Sequence, residues 1–212
     1  MRNRDGVKAE IRSMLEAEDY EGLRRLSEKG VPVVRHLLGM TYDKGEALSW
    51  RAMDAVGRLT AAFPAAKTRN TVQRVLWMMR DESGGTAWSA PEVIGEIIRN
   101  NPGDLEDMVP VVISFHEEEL FRSGVLRAMA RIAGVRADLV EPFRGVPLSY
   151  LSSREPAVRG NAVLALAALG GAGLAGELRG LLGDEAEVEY YDGRSLVRKA
   201  IGALAREAAG LA

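Results

Sequence analysis

The sequence contains no cysteine and only two histidines, and aromatic residues make up 6% of it. Without cysteine the chain has no disulfides, thiolate zinc sites, iron–sulfur ligands or cysteine nucleophiles. No apolar run reaches the roughly 18 residues that a membrane span needs, and no apolar core follows the basic N-terminal residues as it would in a secretory signal. We therefore expect a cytoplasmic protein with no membrane contact.

Charge is distributed unevenly along the 212 residues, although the formal net charge is only −2. Residues 81–120 contain ten acidic side chains and one basic side chain, whereas the segments on either side are net positive. A block of one sign can select a partner of the opposite sign. Carboxylates also favour the first turns of helices, where they offset the helix dipole. A partner surface and a series of helix starts are therefore alternative interpretations of this block.

Apolar residues recur with the period of an α-helix. Val72, Val75, Leu76 and Met79 follow the i, i+3, i+4, i+7 pattern, and convincing period-two alternation is nearly absent. Glycine and proline interrupt the pattern at short intervals, as they do between helices. The sequence predicts an all-α fold with short connections.

The helices also repeat. Residues 157–170 and 196–210 share a frame that aligns Arg159 with Arg198, and the frame recurs at Arg122, Ala87 and Ser49, at intervals of 35 to 39 residues. Four positions of the frame are apolar in all five copies, and they comprise Ala52, Ala55, Val56, Leu59, Ala90, Val93, Ile94, Ile97, Val125, Ala128, Met129, Ile132, Ala162, Ala165, Leu166, Leu169, Ile201, Leu204, Ala205 and Ala208.

An amphipathic segment precedes each framed helix, so the repeated unit is a pair of helices. One pair cannot bury its apolar face alone, whereas stacked pairs can. The predicted fold is a single domain, an α-α superhelix (solenoid) of about five helix pairs, with an irregular helical bundle as the alternative. The predicted N-terminal cap is 4–29, and the predicted repeats are approximately 31–65, 66–100, 102–134, 136–170 and 172–210.

The segments PAVRGNAVLALAALG and DGRSLVRKAIGALAREAA resemble HEAT-like repeats of the phycobilisome-lyase type, whose signature is D/E…VR..A..AL. The resemblance is sharpest over 154–210, moderate over 117–134 and weak over 43–100, where Ser49 and Ala87 replace the arginine. It implies a helical-repeat fold. It implies no single activity, because repeats of this kind serve scaffolds, adaptors and a few enzymes.

The second helix of each pair in such arrays usually lines the concave face. Three frame positions lie opposite the core, and one of them holds Trp50 and Trp88 in adjacent repeats. Stacked helices lie roughly 8–10 Å apart. The two tryptophan rings are therefore either exposed beside one another or buried in the groove between repeats. In the fourth repeat the same face is apolar, which predicts contact with a partner, a second copy or an overlying loop. The predicted partner-binding residues are Trp50, Asp54, Asp81, Glu82, Trp88, Glu92, Glu96, Arg127 and Arg131.

The segment from Trp77 to Trp88 contains a long acidic loop with two glycines. The spacing of Ser89 and Glu92 predicts a capping box, in which each side chain bonds the other residue's backbone N–H. Packing of Trp77 under the loop and a role of the loop in binding both remain open.

Catalytic patterns are missing. Nucleophile elbows, phosphate loops and zincin motifs are absent. The HEEE at 116–119 resembles one His-Glu pair of the HEAT-like di-iron hydroxylases, which need several such pairs. We expect no metal, no cofactor and no catalytic residue.

The preferred interpretation is a non-enzymatic protein-binding or scaffold module, whose partner is another protein with a basic surface. The alternative is a HEAT-like DNA-binding enzyme of the alkylpurine glycosylase type, which Trp50, Trp88, Asp54 and Asp81 superficially resemble. Nucleic-acid binding calls for a strongly positive surface, and the net charge of −2 argues against it.

Overall fold

The computed structural model describes residues 4–80, 87–171 and 173–211, and this part of the chain is mainly helical, as predicted. The helices are α1 Arg4–Glu16, α2 Tyr20–Glu28, α3 Val33–Leu38, α4 Ala47–Thr60, α5 Ala65–Arg80, α6 Ala90–Asn100, α7 Val109–Ser114, α8 Glu119–Ala133, α9 Ala137–Val140, α10 Gly145–Ser149, α11 Pro156–Leu169, α12 Leu174–Glu177 and α13 Ile201–Ala208. Two strands, β1 Glu187–Tyr191 and β2 Leu196–Ala200, precede α13. Across the described segments, no helix is both long and apolar enough for a membrane span.

The core is built from the framed helices. α4, α6, α8 and α11 pack side by side in chain order, and α13 packs against α11. The twenty apolar frame positions are all buried except Leu169 and Ala208, which are partly buried. Apolar burial is the main favourable contribution to folding. The apolar residues that the repeat identifies in the sequence are therefore residues that form the core.

Glycines allow these helices to approach closely. A Cβ atom added to Gly95 in α6 would lie 2.7 Å from the Cβ of Ala128 in α8, and one added to Gly57 in α4 would lie 2.5 Å from the carbonyl oxygen of Glu96. Carbon atoms in ordinary contact are about 3.5–4.0 Å apart. Glycine is therefore the residue that fits these two crossings without displacing a helix.

The segments that precede the framed helices are less regular than the sequence predicted. α5 is long, but α3, α7, α9, α10 and α12 contain only four to six residues each. Pro142 and Pro147 lie in the first half of the predicted repeat 136–170, which is divided into α9, a 3-10 turn at Glu141–Phe143 and α10. Proline lacks the backbone N–H that a helix interior uses, which explains this division.

The predicted helix at 196–210 begins only at Ile201, because the preceding residues form a β-hairpin. β1 pairs antiparallel with β2, from Glu187 opposite Ala200 to Tyr191 opposite Leu196. The turn runs from Asp192 to Ser195: Asp192 Oδ1 accepts hydrogen bonds from the backbone N–H groups of Arg194 and Ser195, and Gly193 has a φ of 108°. Aromatic and β-branched residues on both sides of Asp-Gly favour a hairpin.

The hairpin covers the apolar face that the sequence predicted in the fourth repeat. Val188 of β1 lies against Gly160 of α11, where an added Cβ atom would come within 2.5 Å of the valine. Of the three occupants considered from the sequence, an overlying segment of the same chain is the one observed. Arg198 lies on β2 and is therefore not structurally equivalent to Arg159, which lies on α11.

Candidate functional site

Five charged residues of the predicted partner-binding set lie on three neighbouring helices. Asp54 lies on α4, Glu92 and Glu96 on α6, and Arg127 and Arg131 on α8. The sequence predicted that these side chains face outwards. That expectation is wrong for Asp54, Glu92, Glu96 and Arg127, which are all less than 9% exposed. The reason is tertiary: these charges pair with one another and with neighbours, and the hairpin packs over them.

The ion pairs centre on two carboxylates. Asp54 accepts a hydrogen bond of 2.7 Å from Arg58 Nε, and its other oxygen lies 3.6 Å from Arg99 Nη1. Glu96 binds Arg131 through two nitrogens and lies 3.2 Å from Arg99 Nη1. Arg99 therefore connects the two carboxylates. We use the term inner network for these residues together with three others whose contacts are described next. Its members are Lys44, Asp54, Arg58, Glu92, Glu96, Arg99, Arg127 and Arg131.

Glu92 has a different partner. Its Oε1 accepts a hydrogen bond of 2.6 Å from Lys44 Nζ, and its Oε2 has no hydrogen-bond partner among the described residues. An added Cβ atom on Gly124 of α8 would lie 2.5 Å from that oxygen. The glutamate side chain thus occupies the space that the absent side chain of Gly124 leaves.

Arg127 lies under an aromatic cover. Its Nη2 donates a hydrogen bond to the carbonyl oxygen of Tyr191, and its guanidinium carbon lies 5.8 Å from both the Trp50 and the Tyr190 rings. Burial, followed by the nearby charge of Arg131, lowers the pKa of Arg127 to about 10. The Nε atom of Arg127 has no hydrogen-bond partner in the described part of the chain.

The two tryptophans of the predicted pair differ. Trp50 is partly buried, stacks on Tyr191 with ring centroids 6.2 Å apart, and donates a 2.8 Å hydrogen bond from Nε1 to the carbonyl oxygen of Lys44. Trp88 is 56% exposed. Trp50 therefore fills space between the helices and the hairpin, whereas Trp88 is available for contact with a partner.

The predicted capping box does not form. The Ser89 hydroxyl donates a 3.0 Å hydrogen bond to Thr41 Oγ1, its side chain makes no capping hydrogen bond to α6, and Glu92 binds Lys44 instead. Ser89 and Thr41 are both fully buried. The pair holds the turn containing Trp88, Ala87–Ser89, against the segment that precedes α4.

Three exposed apolar side chains lie near the starts of three successive framed helices. Tyr42 adjoins Thr41, Trp88 adjoins Ser89, and Leu120 lies in the first turn of α8. α6 and α8 run in the same direction, because Glu92 lies against Gly124 and Glu96 pairs with Arg131 further along both helices, and the turn Ala87–Ser89 contacts α8. Tyr42 is 58% exposed and Leu120 44%. We call these three residues the end row.

Exposed acids flank the end row. Glu117, Glu118 and Glu119 precede Leu120, and Asp43 and Glu46 follow Tyr42. Asp107, which belongs to the same acidic block, instead forms a two-oxygen pair with Arg69, and the hydrogen bonds from Arg69 hold the pKa of Asp107 below its ordinary value. The predicted site residues Asp81 and Glu82, and the acidic loop that contains them, lie outside the described residues.

Among the residues that the structure describes, no group of three or more metal-ligating side chains is found. His116 Nδ1 lies 3.0 Å from the Tyr150 hydroxyl, which donates to the carbonyl oxygen of His116. Each carboxylate of the inner network has a cation beside it. The arrangement is therefore suited to holding helices together, and Trp88 is the exposed residue among the described members of the predicted site.

Comparison with known proteins adds no activity. No family model matches the chain. An uncharacterized protein of Archaeoglobus fulgidus is 29% identical over 175 residues, which cover 82% of this chain and 93% of the relative. The crystal structure of an engineered protein superposes with a TM-score of 0.52 at 16% sequence identity, covering 99% of this chain and 91% of that one. At this identity the similarity concerns the fold alone.

Proposed function

We propose that the protein is a non-enzymatic binding module of the HEAT-like superhelical type, which recognises a protein partner through the end row. The observation that carries the proposal is the exposure of Tyr42, Trp88 and Leu120, three apolar side chains near the starts of successive framed helices. Large aromatic side chains supply much of the energy of protein interfaces. Exposed apolar groups that cluster on one surface mark such interfaces more often than scattered ones do.

The acidic residues beside the end row indicate which kind of partner surface it binds. Glu117, Glu118 and Glu119 are exposed beside the end row. Rim charges of one sign steer and select a partner of the opposite sign. The proposed partner is therefore a protein surface with apolar side chains flanked by lysine or arginine.

The binding role is preferred to the glycosylase alternative because of what the candidate catalytic residues contact. Asp54 is paired with Arg58 and Arg99, and Trp50 stacks on Tyr191. A general base must reach the proton that it removes, and a base-stacking tryptophan needs a free ring face. Both residues already have internal partners.

The test compares affinity capture by wild type, by Trp88→Ala/Leu120→Ala, and by a matched control, Val135→Ala/Leu211→Ala, which removes two other exposed apolar side chains. We expect wild type and the control to retain the same partners, and the end-row variant to lose those with basic surfaces. Raising the salt concentration should weaken the same interactions, because rim charges are screened. If the end-row variant captures the full set, the end row is not the binding surface.

A further inference from the structure

A groove lies on a different part of the molecule, between α3 and α5. It has a volume of about 560 Å³, and its walls come from the connection between α2 and α3, from α3 itself, and from one face of α5. Val31, Val34, Leu38, Phe63 and Met78 line it and are partly buried, so their remaining surface is accessible from the groove. The floor of the groove is therefore apolar.

The charged side chains that line the groove are all basic. Arg35, Lys67 and Arg74 are exposed, and no aspartate or glutamate belongs to the lining. Lys67 Nζ lies 3.5 Å from the centroid of the Phe63 ring. Within the described part of the chain, none of these three cations has a carboxylate within 4.0 Å. In the described part of this protein, whose net charge is −2, three cations without a carboxylate partner thus surround one apolar groove.

A second depression adjoins the groove on α5. It is lined by Asn70, Gln73, Arg74, Trp77 and Met78, and it shares three of these residues with the groove. Trp77 is 65% exposed and therefore does not pack under the described parts of the fold. From Lys67 to Met78 the surface extends ~16 Å along the helix axis, at about 1.5 Å per residue.

These dimensions favour a helical peptide over a small molecule. Small-molecule sites bury about 70–90% of their ligand, whereas this groove is open to solvent and is joined by the second depression beside Trp77. Helices that bind grooves place one apolar face against the floor. Lys67 and Arg74 are seven residues apart on the same face of α5, so acidic side chains at the same spacing on a partner helix can pair with both.

We propose that this surface, which we call the basic groove, binds an acidic amphipathic helix of another protein. The apolar face of the partner helix packs on Val34, Leu38 and Met78, and Trp77 covers one end of that helix. The carboxylates of the partner helix pair with Arg35, Lys67 and Arg74. The proposal does not rest on the end row, which is flanked by acids and whose residues do not line the groove.

The test is fluorescence anisotropy with a labelled synthetic peptide of about 14 residues, long enough to span the groove as a helix. The peptide carries leucines on one face and glutamates on the other, and a second peptide carries lysine in place of glutamate. We expect wild type to bind the glutamate peptide, and Lys67→Glu/Arg74→Glu to bind it at least ~10-fold more weakly, because two attractions become repulsions. The same variant should gain affinity for the lysine peptide.

The matched control is Lys8→Glu/Arg179→Glu, which makes the same change in net charge at two exposed cations outside the groove. It should bind the glutamate peptide as wild type does, and so should Trp88→Ala. Equal weakening in the control would show general charge attraction and overturn the proposal. So would absence of binding, or displacement of the peptide by a simple fatty acid such as myristate. Sedimentation equilibrium adds a further outcome: self-association that Lys67→Glu/Arg74→Glu abolishes would make a second copy of the chain the occupant.

Discussion

Replacement of Gly95 by alanine should destabilise the protein, although alanine is the better helix former. The new Cβ atom would lie 2.7 Å from Ala128 Cβ and 2.8 Å from Ala128 Cα. The second of these atoms belongs to the backbone of α8, so the overlap is relieved only when the two helices separate. A helix shift at this point would also disturb the ion pairs between Glu96 and Arg131.

The expected magnitude follows from two opposing effects. Overpacking a well-packed core costs typically about 1–3 kcal/mol, and exchanging glycine for alanine inside a helix contributes roughly 0.8–1.0 kcal/mol in the opposite direction. The overlap involves backbone, so we expect a net loss of about 1–2 kcal/mol. For a domain of this size, that corresponds to a fall in Tm of roughly 2–8 °C.

The assay is thermal and urea denaturation of Gly95→Ala beside Gly6→Ala. Gly6 is also helical, in α1, but an added Cβ atom there meets nothing within 4 Å. The control should therefore be as stable as wild type or slightly more stable. If Gly95→Ala equals or exceeds wild type in stability while Gly6→Ala behaves as expected, the close approach of α6 and α8 is not as described.

Two further predictions concern other contacts. Asp184→Asn should reduce the free energy of unfolding by about 1–2 kcal/mol at pH 7, because Arg159 Nε donates a 2.8 Å hydrogen bond to the carboxylate. Arg159 holds the pKa of Asp184 below its ordinary value of 3.8, so this stabilisation is present above about pH 4 and is lost as pH falls through the lowered pKa. If urea unfolding gives the same difference in free energy between wild type and Asp184→Asn at pH 7 and at pH 3, this reasoning is contradicted. Glu185→Gln, which changes an exposed carboxylate, is the control. Trp50→Ala should cost about 3 kcal/mol because it removes the ring between the helices and Tyr191. Trp77→Ala, at a ring that is 65% exposed, should change the unfolding midpoint little, and equal losses in the two variants would be evidence against the packing of Trp50.

Local periodicity was sufficient to predict the framed helices. Val93, Ile94 and Ile97 are buried as their spacing requires, because a helix repeats every 3.6 residues and its buried stripe can be read directly from the chain. The hairpin was missed, although Asp-Gly between two β-prone segments signals one. The helical frame of residues 196–210 continues into the hairpin and concealed that signal, since Leu196 and Val197 suit either structure.

The site was only partly predictable. Periodicity placed Asp54, Glu92 and Arg127 on one face of successive helices, but whether that face meets solvent depends on residues distant in sequence. Lys44 reaches Glu92, and Tyr191 covers Trp50 and Arg127. Tyr42 and Leu120 lie outside the positions that were considered, so the end row was not recognised, and neither was the groove between α3 and α5.

The sequence by itself determined the helical periods, the apolar frame and the acidic block, because each of these is a property of neighbouring residues. Only the tertiary structure decided which charged residues are buried, which tryptophans are exposed and which of the described cations lack a carboxylate partner. Burial and pairing depend on side chains brought together from far apart in the chain, as Lys44 is to Glu92 and Tyr191 is to Arg127.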